Sequence, residues 1–148
     1  MKAVLQRVSR ASVTVDGDCI ASVNKGYLIL FGVEKDDNYE KAEKLALKIS
    51  LFRCFNDEND KMNLSIKDVN GEILAVSQFT LCASLKKGNR PGFDNAKNPK
   101  EANDIYEFFV KKLEEQGITV KKGIFGADMK VELLNDGPVT FVFDDSSI

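Results

Sequence analysis

The chain has 148 residues, 43% of them hydrophobic and 30% charged, and its 21 basic and 23 acidic residues give a net charge of -2. This length and composition predict one globular domain, residues 1–148, whose core supports folding without disulfides or a metal ion, and they exclude a disordered tail. The chain contains no histidine, which excludes a Ser-His-Asp or Cys-His catalytic unit, a histidine base and a zinc site with imidazole ligands.

Cysteine usage and hydropathy predict a cytoplasmic protein with no membrane contact. The three cysteines, Cys19, Cys54 and Cys82, are odd in number and form no CxxC pair, which favours a reducing compartment. No stretch approaches the ~20 apolar residues of a membrane span. The small net charge argues against wrapping a nucleic-acid backbone, but it leaves room for a local basic patch.

The first third of the chain reads as strands joined by tight turns. Strands are predicted at Lys2–Val8 and Ala11–Val15, followed by a hairpin turn at Asp16-Gly17. The run Tyr27–Val33 is apolar without alternation, which is typical of a strand buried on both faces.

Two segments have the period of amphipathic helices. The first begins at Asp37, which with Glu40 makes a capping-box-like start. Its apolar face consists of Ala42, Leu45, Ala46, Ile49 and Phe52. The second begins with Asn98 as N-cap and Pro99 at the first helical position, and it ends at Gly117. Its apolar stripe consists of Ala102, Ile105, Tyr106, Phe109 and Leu113.

The remaining segments complete a sheet. Residues 56–63 are predicted to be a loop, and Asn70-Gly71 a hairpin turn leading into a long strand, Glu72–Leu81. Two further strands, Ala127–Leu134 and Val139–Phe143, are joined by a tight segment. Because strands outnumber helices and do not alternate with them, the pattern predicts an α+β domain with a mostly antiparallel or mixed sheet covered by two helices.

Ser77-Gln78-Phe79-Thr80 places polar side chains inside an otherwise apolar strand. In an extended strand, Gln78 and Thr80 would lie about 7 Å apart on one face. One interpretation is a strand end that leaves the core. The other makes Thr80 a hydroxyl contact for a ligand and the backbone N–H groups an oxyanion cradle.

A basic loop follows this strand. Lys86, Lys87 and Arg90 stand beside glycines and Phe93, a combination that fits RNA phosphates and a stacked base, although a solvated charged loop is the commoner explanation. The carboxylates of residues 57–60 lack the spacing of a calcium loop and are interpreted as solvent-exposed. No metal site and no cofactor are expected.

The segment Asn135–Thr140 contains a Gly137-Pro138 step between two predicted strands. Such a step is normally a turn, and only about 5–6% of X-Pro bonds in folded proteins are cis. Taken alone, the segment predicts a sharp reversal of the chain.

Together these motifs resemble the bacterial- and eukaryotic-type D-aminoacyl-tRNA deacylase family. The resemblance runs from residues 1–13 through Ser77–Leu81 and Lys87–Pro91 to Phe125–Met129 and Asn135–Thr140. It implies an enzyme that hydrolyses the ester between a D-amino acid, or glycine, and the 3′-terminal adenosine of tRNA. It also implies a homodimer of β-barrel-like subunits with the active site at the subunit interface.

The same resemblance implies residue roles. Ser77, Gln78, Phe79 and Thr80 would form the catalytic segment, in which the Phe79 N–H, together with that of Gln78, faces the carbonyl oxygen and Thr80 positions the substrate. Gly137-Pro138 would be cis, enter the partner subunit's pocket and exclude L side chains.

We predict that Lys86, Lys87 and Arg90 meet the tRNA acceptor end. Because an aminoacyl ester is already activated, backbone donors, a water and the adenosine 2′-OH suffice without histidine. Two alternatives stay open. One is a hydrolase that uses Thr80 as a covalent nucleophile, and the other is a non-catalytic RNA-binding or replication-associated module.

Overall fold

One long strand, β1 (Lys2–Val15), organises the sheet in the computed structural model, which describes residues 1–148. The first half of β1 pairs antiparallel with β3 (Gly26–Gly32) and its second half with β2 (Asp18–Val23). Both halves pair on the other edge with β8 (Lys130–Phe143). The two strands expected at Lys2–Val8 and Ala11–Val15 are therefore one.

The turn between β1 and β2 confirms the hairpin predicted at Asp16-Gly17. Val15 pairs with Asp18 across a two-residue loop. Asp16 has φ 50° and Gly17 has φ 83°. Both central residues are thus left-handed, which is typical of a two-residue hairpin turn.

One side of the sheet is parallel. β3 pairs in parallel with β6 (Glu72–Ser77), and β6 pairs in parallel with β7 (Thr119–Lys122). Parallel neighbours need long crossovers, and the two helices lie in these crossovers. The sheet is thus mixed, and the Asn70-Gly71 turn leads into β6 without forming the expected hairpin.

The predicted loop at residues 56–63 is the turn of a small hairpin, and only its two ends belong to strands. β4 (Arg53–Asn56) and β5 (Met62–Ser65) pair antiparallel in a separate two-stranded sheet. In the turn between them, the Asp57 carboxylate accepts hydrogen bonds from the N–H groups of Asn59 and Lys61. These bonds lower the pKa of Asp57 and give this carboxylate a local structural role.

Helix α2 (Pro99–Glu115) begins as predicted, with the Asn98 side chain accepting from the Glu101 N–H at 3.1 Å. Helix α1 (Tyr39–Leu51) begins one residue later than predicted, because its N-cap is Asn38, whose side chain accepts from the Lys41 N–H. The carboxylate of Asp37 instead lies 2.7 Å from the Met1 amino group.

Two apolar clusters fill the space around the sheet. The larger one contains 24 buried residues from the two helices and from one face of the sheet, including Ile29 and Ile73. The smaller one contains 8, including Leu28 and Leu74 from the opposite face. Both faces of β3 are therefore buried, as the apolar run predicted, and the curled sheet forms a nearly closed, barrel-like α+β domain.

No helix in the structure is long and apolar enough to span a membrane.

Candidate active site

The chain leaves the sheet at the end of β6, where Ser77 is the last strand residue and Phe79–Cys82 form a short 3₁₀-helix. The strand expected to continue to Leu81 therefore ends four residues earlier. The Gln78 N–H donates to the Phe31 carbonyl oxygen at 2.8 Å. Gly32 permits this close approach, because a Cβ on Gly32 would lie 2.9 Å from the Gln78 carbonyl oxygen.

The turn brings Gln78 and Thr80 into direct contact instead of leaving them about 7 Å apart on a strand face. The Gln78 Nε2 donates to Thr80 Oγ1 at 2.6 Å. The Gln78 N–H is already bonded to Phe31, so its expected role as a second oxyanion donor is wrong for this structure. The Phe79 N–H is the first amide of the 3₁₀-helix, and the first N–H groups of a helix have no acceptor within it.

A cavity of about 580 Å³ opens beside this turn, and Ser77, Gln78 and Phe79 line it. Thr80 is exposed and lies outside the lining. The cavity lies at the edge where the parallel strands β3, β6 and β7 end, because the segments that follow all three contribute to its wall. Ligands of sheets with parallel strands commonly bind beyond the carboxyl ends of those strands.

Two further walls were not predicted as site residues. One is the start of α2, with Asn98, Pro99 and Ala102, and the other is Phe125–Met129. Segments that follow neighbouring parallel strands meet at one edge of the sheet, so the parallel pairing would have placed both walls at the cavity. That pairing could not be predicted from the sequence.

The buried phenol of Tyr106 forms a rigid part of the cavity wall. Its hydroxyl donates to the Ala75 carbonyl oxygen at 2.8 Å. Burial raises the pKa of Tyr106, so this side chain stays neutral and acts as a hydrogen-bonded apolar surface.

Gly137 and Pro138 lie elsewhere, on β8, and neither lines the cavity. The chain does not reverse between them: residues 130–135 and 140–143 both pair with β1, so the two predicted strands are one strand with an irregularity in its middle. The Gly137-Pro138 peptide is cis, and Gly137 has φ 141°. Both residues are exposed.

A buried arginine holds this part of β8. Arg7 Nε donates to the Asp136 carbonyl oxygen at 2.9 Å, and Arg7 Nη1 donates to the Cys54 carbonyl oxygen and to Asn56 Oδ1. Arg7 was missed at the sequence level. The available signal was its position, because Ala3 and Leu5 alternate toward the core and position 7 follows in the same register.

The basic residues form an exposed finger. The backbone N–H and carbonyl groups of Ser84 and Gly92 bond to each other at 2.7 and 3.0 Å, and they close the loop that carries Lys86, Lys87 and Arg90. These three side chains are exposed, do not line the cavity and form no ion pair with the rest of the chain.

Comparisons with known proteins agree on the family. The profile of the D-Tyr-tRNA(Tyr) deacylase family matches residues 4–144. A D-aminoacyl-tRNA deacylase from Geotalea daltonii is 54% identical over 144 residues, which are 97% of this chain and 96% of that protein. A protein of the same name from Clostridioides difficile is 54% identical over 99% of this chain and 98% of its own length.

Two solved structures have the same fold. One, a c-Myc DNA unwinding element binding protein, has a TM-score of 0.91 and 41% identity, and the match covers 98% of this chain and 99% of that one. The other, a probable eukaryotic D-amino acid tRNA deacylase, has a TM-score of 0.85 at 14% identity, over 96% and 97% of the two chains, and supports the fold alone. From the family profile and the bacterial relatives together, this chain belongs to the D-Tyr-tRNA(Tyr) deacylase family, whose bacterial relatives here are named D-aminoacyl-tRNA deacylases.

Proposed function

We propose that residues 1–148 act as one catalytic domain that hydrolyses the ester of D-aminoacyl-tRNA, and of glycyl-tRNA, to free tRNA and amino acid. The observation that carries this proposal is the placement of Ser77, Gln78 and Phe79 along a mostly apolar cavity, in a member of a deacylase family. A cytoplasmic location fits this substrate and the three free cysteines.

The chemistry that these groups support is direct attack by water. The Phe79 N–H points a donor at the oxygen of the ester carbonyl, where negative charge develops in the transition state. The attacking water gives its proton to solvent or to the leaving 3′-oxygen of the adenosine, aided by the adjacent 2′-OH. The acyl–oxygen bond breaks, and no covalent enzyme intermediate forms.

Thr80 is a positioning residue in this scheme. Its Oγ1 accepts a hydrogen bond from Gln78 Nε2, which orients the amide beside the cavity. No lysine or histidine contacts this hydroxyl, so nothing activates it as a nucleophile. This contact favours the water mechanism over a covalent threonine.

We further propose a homodimer. Gly137 and Pro138 are exposed on β8 and outside their own chain's cavity. The two motifs act on one substrate if a second copy presents Gly137 and Pro138 to the cavity of the first. The exposed apolar side chains of Leu134 and Val142 on the same strand, 47% and 69% accessible, favour burial of this strand in such a contact.

Gly137 and Pro138 are proposed to act as the chiral filter. Rejecting an L-aminoacyl ester by ~10⁴-fold needs about 5.5 kcal/mol of discrimination. Flexible apolar contacts rarely supply that difference. Backbone held by the buried Arg7 side chain offers a rigid surface that an L side chain meets and that a D side chain or glycine avoids.

The test is hydrolysis of matched D-, L- and glycyl-tRNA by the purified protein and by Thr80→Ala. We expect loss of the D and glycyl esters, retention of the L ester, and activity of the variant within about tenfold of the parent because Thr80 only positions Gln78. An inactive, folded Thr80→Ala protein with a trapped acyl-threonine in the parent would support the covalent alternative.

A mixing experiment tests the shared site. Phe79→Pro removes the donor from one motif and Gly137→Ala distorts the other. Mixed dimers contain one site with both defects and one site with neither. Phe79→Pro alone should be inactive, and Gly137→Ala alone should hydrolyse the L ester as well as the D ester. With Phe79→Pro in excess, we expect the mixture to hydrolyse the D ester and spare the L ester; if it hydrolyses the L ester as Gly137→Ala does, the two motifs do not form one site across two chains.

The non-catalytic alternative retains one supporting observation, the likeness to a structure described as a DNA unwinding element binding protein. It predicts no turnover of any aminoacyl ester by the folded protein. Binding of a DNA duplex with no hydrolysis of D-aminoacyl-tRNA would place this alternative first.

A further inference from the structure

Two phenylalanine rings at the rim of the cavity have no role in the proposed reaction. Phe79 contributes only its N–H, and Phe93 contributes no donor or acceptor. Of the ten phenylalanines in the chain, only these two are exposed, at 56% and 39%. They contact each other, with ring centroids 5.0 Å apart and an interplanar angle of 59°.

Packing within the chain does not explain this exposure. Neither ring belongs to the two core clusters or to the half-buried residues that pack against them. Exposed apolar surface costs about 25 cal/mol per Å² relative to burial. The backbone around Phe93 is nevertheless well defined, because Gly92 bonds to Ser84 on one side and the Ala96 N–H donates to the Phe93 carbonyl oxygen on the other.

Positive charge lies in the loop that leads into Phe93. Phe93 follows Gly92, the base of the finger that carries Lys86, Lys87 and Arg90. A ligand with a flat apolar face next to an anionic group would match the two rings and the basic loop. A nucleotide has both, and proteins commonly bind unpaired bases by stacking them on aromatic rings beside cations.

We propose that Phe79 and Phe93 form a stacking platform for the nucleotide that precedes the terminal adenosine in the unpaired 3′ end of the tRNA. This inference rests on the proposed function, in which the aminoacylated adenosine occupies the cavity. The nucleotide before it would then lie at the rim, over the two rings. The phosphates that follow meet the finger. The platform is a binding subsite and takes no part in the bond-breaking step.

The test compares three esters of one D-amino acid: aminoacyl-adenosine, an aminoacylated single-stranded trinucleotide ending in adenosine, and the full tRNA. Phe93 is the residue to change because its backbone is not part of the Ser77–Thr80 segment. With Phe93→Ala we expect kcat/KM for the trinucleotide and the tRNA to fall by about tenfold, since a base stacked on an aromatic ring contributes about 1–3 kcal/mol. The fall in kcat/KM for aminoacyl-adenosine should be at least about fivefold smaller, because this substrate lacks the stacked base and about 1 kcal/mol is the lower end of the stacking contribution.

Two variants accompany it. Phe93→Trp keeps a ring and should retain activity on the trinucleotide. Tyr39→Ala is the matched control, because Tyr39 is also half exposed and also contacts a phenylalanine, Phe108, with ring centroids 4.9 Å apart. It lies on α1, outside the cavity, and should leave all three rates unchanged.

Salt separates stacking from charge. Phe93→Ala should lower binding without changing the salt dependence, whereas Lys87→Gln should reduce the slope of log affinity against log salt by about 0.7. An equal loss on all three esters, or no advantage of the trinucleotide over aminoacyl-adenosine in the parent, overturns the platform.

A direct binding measurement keeps the subsite testable if the protein hydrolyses none of the esters. A labelled, uncharged single-stranded RNA ending in adenosine should bind about tenfold more weakly to Phe93→Ala than to the parent. Equal binding overturns the platform whatever the outcome for hydrolysis, so the two proposals fail separately.

Discussion

The Ser77–Thr80 and Asn135–Thr140 segments look alike but are held in different ways. In each, a threonine hydroxyl accepts a hydrogen bond from an amide side chain, Gln78 at 2.6 Å and Asn135 at 3.0 Å. The first segment is held by the hydrogen bond from the Gln78 N–H to the Phe31 carbonyl oxygen on β3 and by close packing of Gln78 against Gly32. The second pairs with β1 only at its two ends, and between them Arg7 bonds to the Asp136 carbonyl oxygen and the Val139 N–H bonds to Asn135 Oδ1.

This difference separates the two positions energetically. The first segment is tied to the same buried strands that make the core, so its geometry persists as long as the domain is folded. The second is tied at Asp136 to one guanidinium group, which also bonds to Cys54 and Asn56, so a single substitution can displace it while the core remains. Substitutions in the two segments should therefore differ in their effects on activity and stability.

The largest effect is expected when the Phe79 donor is removed. Phe79→Pro deletes the N–H at the first position of the 3₁₀-helix, where proline is tolerated, and Gln78 with φ -143° and ψ 81° is already outside the helical region. We expect kcat for D-aminoacyl-adenosine to be about 10²–10³-fold below that of Phe79→Ala, the range for loss of one oxyanion donor. Equal rates for the two variants, by single-turnover hydrolysis, would refute the donor role.

Arg7→Met should destabilise the fold by about 3 kcal/mol, because it leaves the buried Cys54 carbonyl oxygen and the part-buried acceptors of Asp136 and Asn56 without their donor. Urea denaturation measures this change. Arg10→Met is the control, since Arg10 lies on the same strand but is exposed, and it should change stability by less than about 0.5 kcal/mol. Discrimination against L-aminoacyl-tRNA should fall in Arg7→Met alone. If both variants lose the same stability, Arg7 does not hold β8.

Gly137→Ala should cost about 2 kcal/mol more stability than Gly88→Ala. Both glycines have positive φ, 141° and 64°. Only at Gly137 would an added Cβ crowd its neighbours, at 2.5 Å from Val139 Cγ2, whereas nothing lies within 4 Å at Gly88. Thermal unfolding of the two variants gives the comparison, and similar melting temperatures would show that crowding at Gly137 is relieved by movement of β8.

The smallest effect at neutral pH concerns the buried thiol of Cys82 at the end of the 3₁₀-helix. Burial, with a smaller contribution from Glu34, raises the pKa of Cys82 from 9.0 to about 11. The folded state therefore keeps a proton that the unfolded state loses near pH 9, so this group leaves stability constant below pH 9 and lowers it between pH 9 and 11. We expect the free energy of unfolding to fall less steeply above pH 9 in Cys82→Ala than in the parent. Parallel curves would mean that the thiol is not held in the core.

Local patterns predicted most of the elements correctly. Asn98 and Pro99 start α2, Asp16-Gly17 makes a hairpin, and the apolar run at Tyr27–Val33 is buried on both faces, because each feature depends on neighbours within one turn or one strand. The errors came from pairing over long distances. Nothing local distinguishes one β1 of fourteen residues from two shorter strands, or a strand interrupted at Gly137 from two strands and a turn.

The candidate site divides in the same way. The sequence by itself determined the family motifs, the exclusion of histidine chemistry and the polar residues at Ser77–Thr80, since these depend only on residue identity and order. Tertiary structure alone decided that β3, β6 and β7 run parallel, so that three distant segments share one cavity edge. It also decided that Arg7 bonds to Asp136 and that Phe79 contacts Phe93, because these residues lie far apart in the sequence and no local pattern indicates that they meet.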